Sequence, residues 1–75
     1  MQLTKEMIHD KGDFITAFVK KRRKQKGLSQ GQLAELSGVC RRTIQNAEVN
    51  ILSMKVDNFI SLLDALDIFI LDLFN

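Results

Sequence analysis

The sequence predicts a single all-α domain of four to five short helices, arranged as a compact bundle. Apolar residues recur at intervals of three and four in two separate segments, which is the spacing of one buried helix face. Gly27 and Gly38 stand where helical segments end, as is typical of helix C-termini. A chain of 75 residues, 45% hydrophobic and 27% charged, has the composition of one small globular domain.

The composition argues against several classes of protein. Cys40 is the only cysteine and His9 the only histidine, so the chain can form neither an internal disulfide nor a Cys/His zinc site. We see no nucleophile–base pair and no phosphate-binding loop, and we therefore expect no enzymatic activity, no metal and no other cofactor. No apolar run reaches the roughly 18 residues of a membrane span, and no signal peptide opens the chain. We expect a cytoplasmic protein without membrane contact.

The charges are unevenly distributed although the net charge is only +2. Eight of the eleven basic residues lie between Lys20 and Arg42, where Glu35 is the only acid. After Arg42 the balance reverses and acidic residues outnumber Lys55. This pattern suggests one surface for a polyanion and another for a different partner. By itself, the run "KKRRKQK" at residues 20–26 fits a solvated helix face equally well.

The first predicted helix begins near Asp13, an N-cap residue type that follows Gly12, and ends at Gly27. Its buried stripe is expected to comprise Phe14, Ile15, Phe18 and Val19. Residues 1–12 are assigned to an N-terminal arm, either a short helix or a loose segment.

Two short helices follow. Ser29 is a natural N-cap for the first, Gln32 completes a capping box, and Gly38 closes the helix with Val39 pointing into the core. The second runs from about Arg41 to Glu48. At about 100° per residue, one side of it carries long polar side chains and the other carries small and apolar ones. The polar side comprises Arg41, Arg42, Gln45 and Asn46, and the opposite side comprises Thr43, Ile44 and Ala47. This helix is therefore expected to pack with one side and to offer the other to a partner.

The fourth helix shows the clearest periodicity. Its apolar residues follow the i, i+3, i+4, i+7 rule: Val56, Phe59, Ile60, Leu63 and Leu66. The ending "DIFILDLFN" is dense in isoleucine and phenylalanine, so it is either a strand or a last helical turn.

Two short helices joined by a glycine turn, with arginine and asparagine facing outward on the second, form a helix-turn-helix. The segment "LSQGQLAELSGVCRRTIQNAE" (28–48) resembles the phage repressor and Cro type of DNA-binding domain, the XRE family. "FISLLDALDI" (59–68) resembles the fourth helix of that family. The resemblance implies a repressor-like DNA-binding domain over residues 13–68. The small size, the arginine pair and the apolar tail also resemble the HipB-like antitoxin branch.

The resemblance implies specific roles. Residues at the positions of Arg41, Arg42 and Asn46 contact base edges in the major groove, where arginine can pair with guanine and asparagine with adenine. Gln45 lies on the same arc of the helix, from which it is expected to reach a base or a phosphate. Expected phosphate-binding residues are Ser29, Gln30 and Thr43. Arg23 and Glu48 match a structural ion pair that ties the first helix to the third.

Two departures from the family pattern concern the ends of the third helix. Cys40 stands at the N-cap, where serine or threonine is usual, which predicts a weaker cap. Asn50 replaces a glycine after the helix, and asparagine tolerates the left-handed conformation.

A dimer is also expected, because one recognition helix contacts few base pairs and such proteins bind half-sites about 34–36 Å apart. Leu62 and the tail at residues 69–75 offer more apolar residues than the core of helix four needs. The predicted interface comprises Ile68, Phe69, Ile70, Leu71, Leu73 and Phe74. In the HipB-like branch this tail is a strand that pairs across the dimer; the alternative is that it completes a monomer's core.

The sequence therefore predicts a DNA-binding transcriptional regulator, a repressor that binds double-stranded DNA as a homodimer at the nucleoid. The alternative is an antitoxin that binds a protein toxin and regulates its own operon.

Overall fold

The computed structural model describes residues 4–73, which form four α-helices and two short 3₁₀ helices. The α-helices are α1 (Lys5–Gln25), α2 (Gln30–Ser37), α3 (Arg41–Ala47) and α4 (Val56–Ala65), and the 3₁₀ helices span Ile51–Ser53 and Ile70–Leu73. Residues 4–73 contain no strand, and the predicted all-α fold is confirmed. None of the helices in this range combines the length and hydrophobicity that a bilayer-spanning segment requires.

The core draws on every α-helix. Its buried apolar residues are Ile15, Val19, Leu33, Val39, Ile44, Ala47, Ile51, Leu62, Leu63, Leu66, Ile68 and Leu73. Helix α2 packs against α3 and α4, and the 3₁₀ helix at 51–53 packs against α1 and α3. Burial of apolar surface on this scale supplies most of the stability of such a small domain. The same packing holds one face of α3 against the bundle and leaves its other face exposed.

Helix α1 begins at Lys5 rather than near Asp13, so the predicted start is wrong. Thr4 caps it, accepting a hydrogen bond from the Met7 backbone N–H at 3.1 Å. Gly12 lies inside the helix because the 3₁₀ helix at 51–53 approaches closely there: a Cβ on Gly12 would stand 2.8 Å from Leu52 Cδ1. The glycine therefore marks a close contact and not a helix boundary. A separate role for residues 1–12 stays a prediction.

The buried face of α4 differs from the predicted one. Val56 and Ile60 are 72% and 57% exposed, whereas Leu62 is fully buried. The set Phe59, Leu62, Leu63 and Leu66 obeys the same i, i+3, i+4, i+7 rule as the predicted set. The periodicity is therefore degenerate, and packing against α2 selects the second stripe.

One edge of α1 also departs from the predicted stripe. Phe14 is 53% exposed, and its ring lies 5.9 Å from that of Phe18, which is partly buried against the core. Ile15 and Val19 form the buried centre of the stripe.

The chain after α4 forms a short helix and not a strand, which resolves the alternative left open by the sequence. Ile68 and Leu73 are buried within the single chain, as is Leu62, so these residues are not in excess of what the core requires. Three neighbours remain exposed and are referred to below as the tail patch: Phe69, Ile70 and Leu71. Phe74, also predicted at the interface, lies outside the described residues.

Candidate nucleic-acid interface

The turn between α2 and α3 is built from local capping interactions. Ser29 Oγ accepts the Gln32 N–H at 3.0 Å, and Gln32 Oε1 accepts the Ser29 N–H at 2.8 Å, which confirms the predicted capping box. Gly38 ends α2 in the left-handed conformation (φ 73°), where a residue without Cβ is favoured. Val39 is buried directly after it, as predicted. These contacts set the direction in which α3 leaves the turn.

Helix α3 divides into two faces. Ile44 and Ala47 are fully buried. The four long polar side chains are all exposed: Arg41, Arg42, Gln45 and Asn46. Within residues 4–73, none of the four enters a side-chain hydrogen bond or an ion pair, so their donors face solvent. A helix of this kind, packed on one face and donor-rich on the other, has the form of one that enters the major groove.

The start of α3 carries the cap weakness that the sequence predicted. Cys40 occupies the N-cap and makes no side-chain hydrogen bond to the helix backbone. Its Sγ instead lies 2.9 Å from Thr43 Oγ1. This hydrogen bond lowers the pKa of the Cys40 thiol below its ordinary value. The Thr43 hydroxyl, predicted to bind phosphate, thus has a partner within the chain.

The far end of α3 is tied to α1. Arg23 Nε donates to Glu48 Oε2 at 2.6 Å, and Arg23 Nη2 donates to Glu48 Oε1 at 3.0 Å, with both residues buried. Arg23 Nη1 also donates to the Leu28 carbonyl at 2.8 Å. Gln30 Nε2 donates to Glu48 Oε1 at 3.2 Å, which leaves its second N–H for another partner. These hydrogen bonds join α1, the loop before α2, the start of α2 and the end of α3.

The remaining cations of the "KKRRKQK" run divide between two environments. Arg22 and Lys26 contact the chain at the end of α4 through hydrogen bonds to Leu66 and Asp67. Lys20, Lys21 and Lys24 are exposed, and in the described part of the chain none of the three has an ion-pair partner. The run is thus neither a simple solvated face nor a single anion-binding patch.

A polar groove beside α3 adds residues that the sequence did not indicate. It is lined by Thr43, Asn46, Ser53, Met54, Lys55 and Asn58. Lys55 stands at the start of α4, next to the exposed face of α3. In the sequence, Lys55 was distinguished only by being the single basic residue after Arg42. Lys55 is therefore an additional candidate for a contact with a phosphate.

Comparison with known families gives one match. A family model described as helix-turn-helix matches residues 19–70, from the second half of α1 through the start of the final 3₁₀ helix. No curated protein shows significant similarity to the chain.

Proposed function

The chain belongs to the XRE family of helix-turn-helix DNA-binding domains, and on that premise we propose that it is a repressor binding a two-fold symmetric operator as a homodimer. Family membership supports a DNA-binding regulator of transcription. The repressor role, the operator symmetry and the residue roles below are our proposal. A protein with this role acts at the nucleoid, in the cytoplasm.

The proposal depends on one observation: α3 has one buried apolar face and one exposed polar face. Arg41, Arg42 and Asn46 are the proposed base-reading residues, and Gln45 extends the same face. Bidentate pairing of arginine with guanine O6 and N7, or of asparagine with adenine, contributes about 1–3 kcal/mol of discrimination per base. Because Ile44 and Ala47 anchor the opposite face in the core, the reading side chains are presented by a fixed backbone.

Phosphate contacts position the protein on DNA and carry no sequence information of their own. We assign them to Ser29 and Gln30 at the start of α2, to Thr43, and to Lys55 at the start of α4. Backbone N–H groups at a helix N-terminus and its positive dipole end favour an anion at the first two positions. Lys20, Lys21 and Lys24 strengthen the positive field.

The homodimer is proposed to form through the tail patch (Phe69, Ile70, Leu71). The patch continues into a groove that Ile60 and Ile68 also line. An exposed apolar surface of this kind marks an interaction site more often than a solvated surface. In this scheme residues 13–68 read DNA, residues 69–75 pair the subunits, and residues 1–12 serve as an N-terminal extension.

Selection of bound sequences from a random DNA pool tests the proposal. We expect recovered sites to contain two inverted copies of one short sequence, with centres about 34–36 Å apart or a multiple of that distance. Binding should weaken steeply with salt, because each neutralised phosphate releases counterions. Recovery of sequences with no shared motif would contradict the base-reading role of α3.

A second candidate is an antitoxin that also binds a protein toxin, and one observation favours it. Asp64 lines the same groove as Ile60 and Phe69, and Asp57 and Asp72 are exposed on the same half of the chain. An apolar groove that includes the Asp64 carboxylate could complement a partner with a basic side chain. Co-expression with the product of the adjacent gene tests this candidate. A stable complex of the two chains would support it, and their separation during purification would count against it.

A further inference from the structure

The turn that follows α4 is closed by two backbone hydrogen bonds. Ile68 N–H donates to the Leu63 carbonyl at 2.9 Å, and Asp67 N–H donates to the Asp64 carbonyl at 3.2 Å. These bonds form a Schellman motif, in which glycine or asparagine usually takes the left-handed position. Here Asp67 occupies it, at φ 54°. An aspartate is unfavourable at a helix C-terminus, where the dipole is negative, so the turn requires external support.

Arg22 and Lys26 provide that support. Arg22 Nε donates to the Leu66 carbonyl and Arg22 Nη2 to the Asp67 carbonyl, each at 3.1 Å. Lys26 Nζ binds Asp67 Oδ2 at 2.5 Å, and this contact lowers the pKa of the Asp67 carboxyl. The guanidinium therefore binds two consecutive backbone carbonyls in a fixed fork, which a lysine ammonium cannot reproduce.

Adjacent arginines on α1 thus contact two different functional parts of the chain. Arg23 binds Glu48 at the end of α3, and Arg22 binds the turn from which the tail patch departs. Because both lie on one turn of a 21-residue helix, the end of the base-reading helix and the start of the tail are held by the same short segment.

We infer that Arg22 is a positioning residue of the dimer: by binding the carbonyls of Leu66 and Asp67, it fixes the direction of the tail patch relative to α3. This inference rests on the proposed homodimer. The spacing between two recognition helices depends on the angle at which each tail leaves its subunit. Loss of the Arg22 contacts would therefore leave the sequence of each half-site unchanged, but it would allow the distance between the two half-sites to vary.

Selection of bound sequences from a random DNA pool, with wild type and with Arg22→Lys, measures the spacing between half-sites directly. We expect the variant to select the same half-site sequence as wild type but with several spacings in place of one. Its dimer should also dissociate about tenfold more readily in sedimentation equilibrium, because the tail patch is no longer held in one direction before the subunits associate. Arg22→Gln provides a second variant if the lysine substitution prevents folding.

Two matched controls separate geometry from charge. Lys21→Gln removes an exposed neighbouring charge, so it should weaken binding to all sequences alike while keeping the wild-type spacing. Asp67→Asn removes the carboxylate, tolerates the left-handed turn and preserves both backbone carbonyls, so it should also keep that spacing. A single wild-type spacing retained by the Arg22 variants would overturn the inference. Unpaired half-sites selected by wild type itself would instead overturn the homodimer, and the inference with it.

Discussion

Arg23 and Glu48 lie 25 residues apart in the chain and meet as a buried ion pair with two hydrogen bonds, at 2.6 and 3.0 Å. Glu48 is the C-cap of α3, and Arg23 belongs to α1. Glu48 also accepts from Gln30 at the start of α2. The pair therefore fixes where α3 ends relative to α1 and α2.

Removal of one member of this pair should strongly destabilise the domain. Arg23→Met leaves the Glu48 carboxylate buried without its cation, and we expect a loss of about 3–5 kcal/mol in the free energy of unfolding. Urea denaturation followed by circular dichroism measures it. The double variant Arg23→Met/Glu48→Leu should lose less than the sum of the two single variants. Single-variant losses below about 1 kcal/mol, the range of exposed pairs, would contradict this account.

Leu71 and Leu73 provide a matched pair in the final 3₁₀ helix. Leu71 is 73% exposed and Leu73 is 1% exposed. Leu73→Ala should reduce the free energy of unfolding by about 2–5 kcal/mol, because it leaves a cavity in the core. Leu71→Ala should change it by no more than about 0.5 kcal/mol, yet weaken self-association measured by sedimentation equilibrium. Undiminished association in the Leu71 variant would remove this residue from the proposed interface.

Local signals in the sequence predicted the helix-turn-helix well. The Ser29–Gln32 capping box and the left-handed Gly38 depend on residues within a few positions of one another. The two faces of α3 also follow from helical geometry alone. These features needed no knowledge of the rest of the chain.

The features that the sequence did not predict depend on packing between residues far apart in the chain. Gly12 resembles a helix boundary, and only its contact with Leu52, forty residues away, explains its place inside α1. Two overlapping apolar stripes on α4 obey the same periodicity, and packing against α2 selects between them. The Arg22 contact with Leu66 spans 44 residues, and no local pattern signals it. The roles of the site residues toward DNA stay predictions.

The reactivity of Cys40 should depend on its hydrogen bond with Thr43. Donation from the Thr43 hydroxyl stabilises the thiolate and lowers the pKa of the thiol, so alkylation should become fast at lower pH than in Thr43→Val. The measurement is the rate of reaction with iodoacetamide as a function of pH for the two proteins. Coincident pH profiles would show that the Thr43 side chain does not set the pKa.

Substitution of Arg42 shows whether the exposed face of α3 contacts bases. The measurement is the affinity of Arg42→Ala for the selected operator and for every single-base variant of it, with Lys24→Ala as a control. We expect Arg42→Ala to lose about 1–3 kcal/mol of discrimination at one base pair of each half-site and to keep its discrimination at the other base pairs. Lys24→Ala should affect all sequences alike. An equal loss of affinity for every sequence in the Arg42 variant would contradict the claim.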